Sequence, residues 1–256
     1  MMEYGTYTST DGIVLEYDIY RPQEKDASVP AFLPAVVFYF GGGWQRGDRR
    51  HFAPQAKILA ENGYCVFCPD YRVFERQGVS PRECVDDAAA FWEHLRKNAA
   101  VLGIDPDRIA LGGGSAGGHL ALMAGLKTGV FPRAYVLYNP AINIGSEWFF
   151  HEVVNPNKDK YPSPPLGLSY ENFDDIKPVK LLGSFFPPSI IIHGEEDALV
   201  DYREVQDFAV ALEKLGAKPE FYLYAEQGHG FFRFERNEAL FDETTTRVLD
   251  FLARCL

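Results

Sequence analysis

The chain has 256 residues, of which 46% are hydrophobic and 24% charged, as is ordinary for a globular domain. Its formal net charge of −11 disfavours binding to nucleic acid or to an anionic membrane surface. The longest apolar stretch, residues 31–40, contains a proline and is too short to span a bilayer, and the first residues show no signal-peptide pattern, so we expect a cytoplasmic protein.

The first half of the chain predicts a hairpin followed by alternating strands and helices. Alternating apolar and polar residues on either side of Asp11-Gly12 predict antiparallel strands at 4–10 and 13–20. Continuous apolar runs predict buried parallel strands at 34–40, 64–68 and 109–111. Helical spacing predicts helices at 52–61 and 80–101, the second opening on Ser80-Pro81.

The second half continues this alternation around one irregular segment. Helices are predicted at 115–127, 202–215 and 237–252, and strands at 134–138, 189–192 and 220–224. Residues 141–188 are rich in proline and lack periodicity, which predicts an insertion over a functional site. The whole pattern predicts a single α/β domain over 1–256, with a mostly parallel, doubly wound sheet.

Two motifs match patterns that bind a metal or a cofactor, but the context of each argues against that function. Cys65 and Cys68 form a C-x-x-C pair, but the pair lies in a predicted buried strand and no second pair follows at zinc spacing. Gly112, Gly114 and Gly117 match the dinucleotide pattern G-x-G-x-x-G, but the next strand ends in Asn139-Pro140, where no acid is available for a ribose. We therefore expect neither a metal nor a cofactor.

The segment Gly113-Gly114-Ser115-Ala116-Gly117 indicates a nucleophilic serine. It has the pattern G-x-S-x-G and stands between a predicted strand and a predicted helix. A serine that projects from a sheet edge needs a sharp, strained turn, and a Cβ two positions away would collide with neighbouring strands. The start of the helix also directs N–H groups and positive dipole at a developing oxyanion.

A serine nucleophile needs a base and an orienting acid, and both are found later in the chain. His229 lies in a glycine-flanked loop after the last predicted strand, where a base could reach Ser115. The preceding strand leads into Glu195-Glu196-Asp197, of which Asp197 fits best and Glu196 is the reserve. Three glycines, 41–43, follow the strand at 34–40 and offer free backbone N–H groups for an oxyanion hole.

These motifs together resemble the α/β-hydrolase superfamily, and within it the small carboxylesterases related to hormone-sensitive lipase and to carbohydrate esterases. The matching pieces are GGGW at 41–44, PDYR at 69–72, DPDRI at 105–109, GGSAGG at 113–118, HGEED at 193–197 and GHG at 228–230. The resemblance implies the α/β-hydrolase fold, a triad of Ser115, Asp197 and His229, and an oxyanion hole from the N–H groups of Gly42, Gly43 and Ala116.

One position departs from this resemblance. Phe40 stands where the family motif H-G-G-G has a histidine that holds the loop by hydrogen bonds. Phenylalanine cannot form those bonds, so we expect the loop to be held by packing. We also expect aromatic side chains around the site to contact the substrate, namely those of Phe40, Trp44, Trp148 and Phe231.

The leading hypothesis is a serine carboxylesterase that acts on short-chain esters, either small molecules or oligosaccharides. The resemblance favours acetylated sugars or xylan fragments as the natural class. A serine peptidase of the prolyl-oligopeptidase type is the alternative enzyme, although such enzymes tend to carry an aromatic residue at the position of Ala116 and a large propeller domain. The alternative from another class is a hydrolase-fold binding protein without catalysis.

Overall fold

The computed structural model describes residues 2–23, 32–145 and 173–256. Its strands are β1 (Met2–Thr8), β2 (Val14–Tyr20), β3 (Leu33–Tyr39), β4 (Cys65–Pro69), β5 (Ile104–Gly114), β6 (Ala134–Tyr138), β7 (Ser189–Gly194) and β8 (Glu220–Tyr224). Within these residues they form one sheet in the order β1-β2-β4-β3-β5-β6-β7-β8. β1 and β2 form an antiparallel hairpin, β2 joins β4 antiparallel, and the pairs from β4 to β8 are parallel. The predicted sheet, with its N-terminal hairpin, is confirmed.

Helices cover both faces of this sheet. They are α1 (Ala53–Glu61), α2 (Phe74–Gln77), α3 (Pro81–Lys97), α4 (Ala116–Thr128), α5 (Tyr202–Lys214) and α6 (Glu238–Cys255). One core cluster joins the sheet to α3, α4 and α5, and the other joins it to α1 and α6. Strands β3, β4, β6 and β7 are thereby buried on both faces, which explains why they are continuous apolar runs in the sequence, whereas the edge strand β8 is only half-buried.

The start of α3 shows how the local sequence sets a helix boundary. Ser80 and Glu83 form a capping box, in which each side chain interacts with the other residue's backbone, and Pro81 occupies the first turn. These contacts satisfy N–H groups that have no partner inside the helix. The predicted helix start at Ser80-Pro81 is therefore confirmed by its cap.

Three elements differ from the sequence-based expectation. α3 ends at Lys97, with Asn98 as its C-cap, rather than at 101. β5 begins at Ile104 rather than at 109, because Ile104 pairs with Leu33 before the register between β3 and β5 shifts. The single turn α2 was not predicted, since four residues are too few to show helical periodicity.

The predicted insertion is described only at its two ends. Residues 141–145 and 173–188 contain the buried side chains of Ile142, Ile144, Phe173, Ile176 and Phe186, which belong to the core cluster of α3, α4 and α5. Two short 3-10 turns, Asp174–Ile176 and Pro178–Lys180, lead back toward β7. Trp148 lies outside the described residues. No helix in the described ranges has both the length and the apolar character needed to cross a bilayer.

A buried ion pair holds the segment that follows β4. The Arg72 side chain donates to both oxygens of Asp87 on α3, at 2.9 Å from Nε and 2.8 Å from Nη2, and the Arg72 backbone N–H adds a third bond of 2.9 Å. The Asp87 side chain is fully buried. This fixes the backbone beside Tyr71, whose hydroxyl reaches the end of β3.

We expect Asp87→Ala to destabilise the fold by about 3–5 kcal/mol, because among the described residues it leaves the largely buried Arg72 guanidinium with Asp11 as its one charged partner. Asp105→Ala, which removes a partly exposed pair with Arg108, is the control and should cost much less. The free energy of unfolding from urea titration checks both. Similar losses for the two variants would contradict the assignment of Asp87 as a structural anchor.

Candidate active site

Ser115 stands on a sharp turn between β5 and α4. Its backbone has φ 56° and ψ −121°, a left-handed conformation that is rare for a residue with a side chain. Its N–H donates to Tyr138 O at 2.8 Å, and its own carbonyl accepts from the N–H groups of His119 and Ala141. The strained conformation expected of a nucleophile elbow is therefore present, and the surrounding backbone holds it.

The two outer glycines of G-x-S-x-G are required by close backbone approaches. A Cβ at Gly113 would lie 2.5 Å from Gly117 C and O and from Tyr39 O. A Cβ at Gly117 would lie 2.0 Å from Tyr39 O and 2.4 Å from Phe40 O. The turn therefore packs directly on the end of β3, as the motif predicts.

The Asp197 carboxylate is buried in the loop after β7 and is hydrogen-bonded on both oxygens. Oδ1 accepts from the N–H groups of Leu199 and Val200, at 2.8 and 3.0 Å. Oδ2 lies 2.9 Å from Asn139 Nδ2 and 2.7 Å from His229 Nδ1. Burial by itself raises the pKa of Asp197, but the hydrogen bond from His229 and its charge outweigh burial, and the pKa lies below its ordinary value. The side chain is thus an anion at neutral pH.

His229 lies in the loop after β8, with its side chain 22% exposed. Because a carboxylate only accepts hydrogen bonds, Nδ1 carries a proton toward Asp197, and in the neutral ring Nε2 keeps its lone pair. The loop is held by Arg236 Nη1, which donates to His229 O at 2.8 Å, and by Asn139 Oδ1, which accepts from Gly230 N at 3.3 Å.

The structure brings Asp197, rather than its acidic neighbours, to His229. Glu195 and Glu196 are both exposed, and the backbone N–H of Glu196 bonds to Gln227 O at 2.9 Å. Ser115 ends β5, Asp197 follows β7 and His229 follows β8, so all three lie at the carboxyl edge of the parallel sheet. That is the edge where ligands bind in open α/β sheets.

His193 is a second, fully buried histidine beside Asp197. Its Nε2 lies 3.1 Å from Val200 O and 3.4 Å from Asp197 Oδ2. Since both neighbours are acceptors, Nε2 is the protonated nitrogen. Burial lowers the pKa of His193 although the Asp197 charge acts in the opposite direction, so this ring is neutral.

The glycine loop after β3 has free backbone donors. Gly42 and Gly43 have φ values of 140° and 63°, which favour glycine, and the Gly42 carbonyl accepts from Gln45 N at 3.1 Å. Within the described ranges, the N–H groups of Gly42 and Gly43 make no hydrogen bond. Ala116 is the first residue of α4, where an N–H has no partner inside the helix. This edge therefore presents several unpaired N–H groups.

The expectation that packing alone replaces the missing histidine was wrong. Phe40 does stack on Tyr71, with ring centroids 3.9 Å apart, but the Gly41 N–H also donates to His51 Nδ1 at 3.0 Å. The Tyr71 hydroxyl donates to Phe40 O at 2.8 Å. His51 lies ten positions beyond Gly41, and only the fold shows that its ring reaches the loop.

Three of the expected substrate contacts are packing residues. Phe40 and Trp44 are each 1% exposed and Phe231 is 4% exposed, so none offers appreciable surface to a ligand. Phe40 stacks on Tyr71, Trp44 packs edge-on against His119, and Phe231 packs against Tyr224. Aromatic residues after a strand are as suitable for core as for a pocket wall, and here they form core. The fourth residue, Trp148, falls in 146–172, outside the described residues.

Two further polar residues of the site, Asn139 and His119, were not identified from the sequence. Asn139, after β6, has φ 43° and bonds both to Asp197 and to the backbone of the His229 loop. His119 joins α4 to two other segments, since its Nδ1 lies 3.2 Å from Trp44 Nε1 and its Nε2 2.7 Å from Ile176 O. Asn139 could have been suspected, because it stands at the carboxyl end of a parallel strand.

No group of three or more His, Cys, Asp or Glu side chains in the described part of the chain is arranged to hold a metal ion. Cys65, Cys68 and Cys84 are buried, and burial raises the pKa of each thiol. They are core residues, as the sequence indicated for the C-x-x-C pair.

Two family models match successive parts of the chain. The model described as BD-FAE matches residues 17–137, which include the glycine loop and Ser115. The model of the dienelactone hydrolase family matches residues 176–256, which include Asp197 and His229. The two matches together cover both halves of the site.

Among curated proteins, the isoprenylcysteine alpha-carbonyl methylesterase ICME of Arabidopsis thaliana is 29% identical over 231 residues, covering 83% of this chain and 53% of that protein. The chain spans about half the length of the curated relatives it matches.

Solved structures extend the similarity to the whole fold. Esterase 2 of Thermogutta terrifontis with propionate bound is 30% identical and has a TM-score of 0.81, covering 98% of this chain and 93% of that one. The same esterase phosphorylated by paraoxon has a TM-score of 0.82 at 30% identity, covering 99% and 94%. With this identity over nearly the full length of both chains, the chain belongs to the α/β-hydrolase carboxylesterases.

Proposed function

We propose that this chain is a serine carboxylesterase in which Ser115, His229 and Asp197 form the catalytic triad. The observation that carries the proposal is the 2.7 Å hydrogen bond between His229 Nδ1 and Asp197 Oδ2, at the same sheet edge as the strained Ser115 elbow. This bond assigns the proton to Nδ1 and leaves Nε2 as the general base. A small-molecule ester is the proposed substrate class.

Acylation begins when His229 Nε2 removes the proton from the Ser115 hydroxyl. Oγ then attacks the ester carbonyl carbon, and the carbonyl oxygen becomes an oxyanion. His229 is now an imidazolium, which the buried Asp197 anion stabilises across the 2.7 Å contact. When the intermediate collapses, the carbon–alkoxide bond breaks and the alkoxide takes the proton from Nε2, which releases the alcohol.

Deacylation repeats these steps with water. His229 Nε2 takes a proton from water, the hydroxide attacks the acyl carbon, and the proton is returned to Ser115 Oγ as the carboxylic acid leaves. No other reactant is needed for the balance. Asn139 holds Asp197 and the His229 loop in fixed positions relative to each other during both steps, because it forms hydrogen bonds with both.

The oxyanion of both tetrahedral intermediates is assigned to the N–H groups of Gly42, Gly43 and Ala116. The first two are unpaired in the described structure, and the third begins α4, where the helix dipole favours negative charge. Such donors need no reorganisation during the reaction. These N–H groups therefore stabilise the negatively charged transition state more than they stabilise the neutral substrate.

The acyl group is proposed to be short. This proposal is supported by the propionate-bound structure of the 30% identical esterase. We also propose acetylated sugars or xylan fragments as the natural substrates, because the motifs resemble those of carbohydrate esterases.

Ser115→Ala should abolish hydrolysis without unfolding the protein, because it deletes one oxygen at the surface of the elbow. We expect kcat to fall by at least about 10³-fold. Hydrolysis of p-nitrophenyl acetate measures this, and mass spectrometry after treatment with a fluorophosphonate probe should find the label on Ser115. A Ser115→Ala variant that keeps more than about a tenth of the wild-type rate would exclude Ser115 as the nucleophile. A wild-type protein that is neither labelled nor active would favour the binding-protein alternative.

Asp197→Asn should lower kcat by up to about 10⁴-fold, since an amide cannot hold the required tautomer of His229 or stabilise its cationic form. Glu196→Gln is the matched control one position away. Its side chain is exposed, so we expect a change of less than about twofold. Steady-state kinetics on one short ester checks the pair, and equal losses at the two positions would show that the acid is misassigned.

The acyl preference should appear as a fall in kcat/KM beyond butyrate. In a pocket that accepted long chains, each further buried methylene would contribute about 0.8 kcal/mol, or nearly a fourfold gain. Measuring kcat/KM for p-nitrophenyl acetate, butyrate, octanoate and palmitate checks this. A steady rise with chain length, or activity only on emulsions, would refute the short-chain proposal.

A further inference from the structure

The peptide group that joins Phe40 to Gly41 is held at both of its polar ends. Its carbonyl oxygen accepts a hydrogen bond from the Tyr71 hydroxyl at 2.8 Å, and its N–H donates to His51 Nδ1 at 3.0 Å. The stacked rings of Phe40 and Tyr71 support the same peptide from the side. A peptide group is planar, so fixing both ends fixes the orientation of the plane. The backbone of Gly42 and Gly43 starts from this plane.

The position of His51 is itself determined by its neighbours in the chain. It lies in a 3-10 turn, Arg49–Phe52, capped by Asp48, which accepts from Arg50 N at 2.8 Å. The Arg49 guanidinium is bound to Asp18 on β2, at 2.7 Å. On the other side Phe52 stacks on Phe38 of β3, with ring centroids 4.7 Å apart. The imidazole therefore approaches Gly41 from a segment anchored on both sides.

The protonation state of His51 suits the role of an acceptor. Nδ1 can accept from the Gly41 N–H only if it carries no proton, so in the neutral ring the proton is on Nε2. Burial, and after it the charge of Arg233, lowers the pKa of His51 to about 4. The ring is thus neutral at neutral pH, and its acceptor lone pair is retained.

His51 is close to the reacting serine but acts through the backbone. A Cβ built on Gly41 would lie 3.3 Å from His51 Cε1 and 3.4 Å from Ser115 Cβ, so Gly41 stands between the two side chains. The Gly41 N–H is engaged by His51 and is not available to a substrate. Within the part of the chain that the structure describes, the N–H groups of the two following glycines, Gly42 and Gly43, have no hydrogen-bond partner.

We propose that His51 is a positioning residue for the oxyanion hole, which orients the N–H groups of Gly42 and Gly43 by accepting the hydrogen bond from Gly41. Tyr71 is its counterpart on the other end of the same peptide. His51 thus supplies, from ten residues further along the chain, an imidazole that the glycine loop lacks at Phe40. This inference rests on the proposed function, because it assigns these N–H groups to the oxyanion.

The test compares two substitutions that differ in the acceptor. His51→Leu removes it, whereas His51→Asn places Oδ1 near the position of Nδ1 and can still accept from Gly41. We expect His51→Leu to lower kcat on p-nitrophenyl acetate by about 10- to 10²-fold, less than the loss of an oxyanion donor itself, with KM within about twofold. His51→Asn should recover most of that loss. The rate of phosphorylation by paraoxon should follow kcat, since it also develops charge on an oxygen next to Ser115.

Two further variants separate positioning from general destabilisation. His94→Leu removes a half-buried imidazole on α3 that bonds to the Tyr17 hydroxyl at 3.2 Å, away from the glycine loop, and should leave kcat unchanged. Tyr71→Phe removes only the hydroxyl from the other end of the peptide and should lower kcat. Its effect should not add to that of His51→Leu, because the two act on one peptide group.

The results distinguish this inference from the proposed function. If Ser115→Ala is inactive while His51→Leu keeps wild-type kcat, the triad stands and the role of His51 is overturned. The same conclusion follows if His51→Asn loses as much as His51→Leu, or if His94→Leu loses as much. If Ser115→Ala retains activity, the proposed function fails first. If His51→Leu does not fold, His51→Asn is compared with Tyr71→Phe instead. We then expect a kcat near the wild-type value for His51→Asn and a reduced kcat for Tyr71→Phe. The reverse order would overturn the proposal.

Discussion

The first turn of α4 lies so close to the end of β3 that the backbone of β3 occupies the space where a side chain at Gly117 of α4 would be. A Cβ at Gly117 would be 2.0 Å from Tyr39 O, which no rearrangement of a side chain could relieve. The same turn carries the positive φ of Ser115, and Gly41 of the glycine loop lies beside it. The elbow, the glycine loop and the start of α4 are therefore held next to one another by one packing constraint.

The Asp197 carboxylate also holds the site together, because it accepts hydrogen bonds from three separate parts of the sheet edge. Its own loop supplies the N–H groups of Leu199 and Val200, the end of β6 supplies Asn139, and the loop after β8 supplies His229. Removing an anion from water is costly unless it is well bonded. Here these donors offset that cost, so a buried acid can remain charged and can hold an imidazole in one orientation.

Neutral histidines serve as connectors between segments around this site. His119 accepts from the Trp44 indole and donates to Ile176 O, and thereby ties the glycine loop, α4 and the described end of the 141–188 segment together. Burial lowers its pKa to about 4, so it stays uncharged and keeps one donor and one acceptor. A buried neutral imidazole is suited to such a bridge because its two nitrogens bind groups of opposite type. His51 beside Gly41 is also buried and neutral, but it bonds through Nδ1 alone, since its Nε2 has no hydrogen-bond partner among the described residues.

The sequence by itself determined the alternation of strands and helices, the hairpin at Asp11-Gly12 and the elbow at Ser115, because these depend on periodicity, turn residues and glycines that act over a few positions. It also singled out Asp197 and His229, since the ends of parallel strands meet at one edge. Only the tertiary structure decided that His51 bonds to Gly41, that Asn139 joins Asp197 to the His229 loop, and that Phe40, Trp44 and Phe231 are buried. Those contacts join residues distant in the chain, and a histidine or an aromatic ring looks the same in a sequence whether it packs in the core, bridges two loops or faces a ligand.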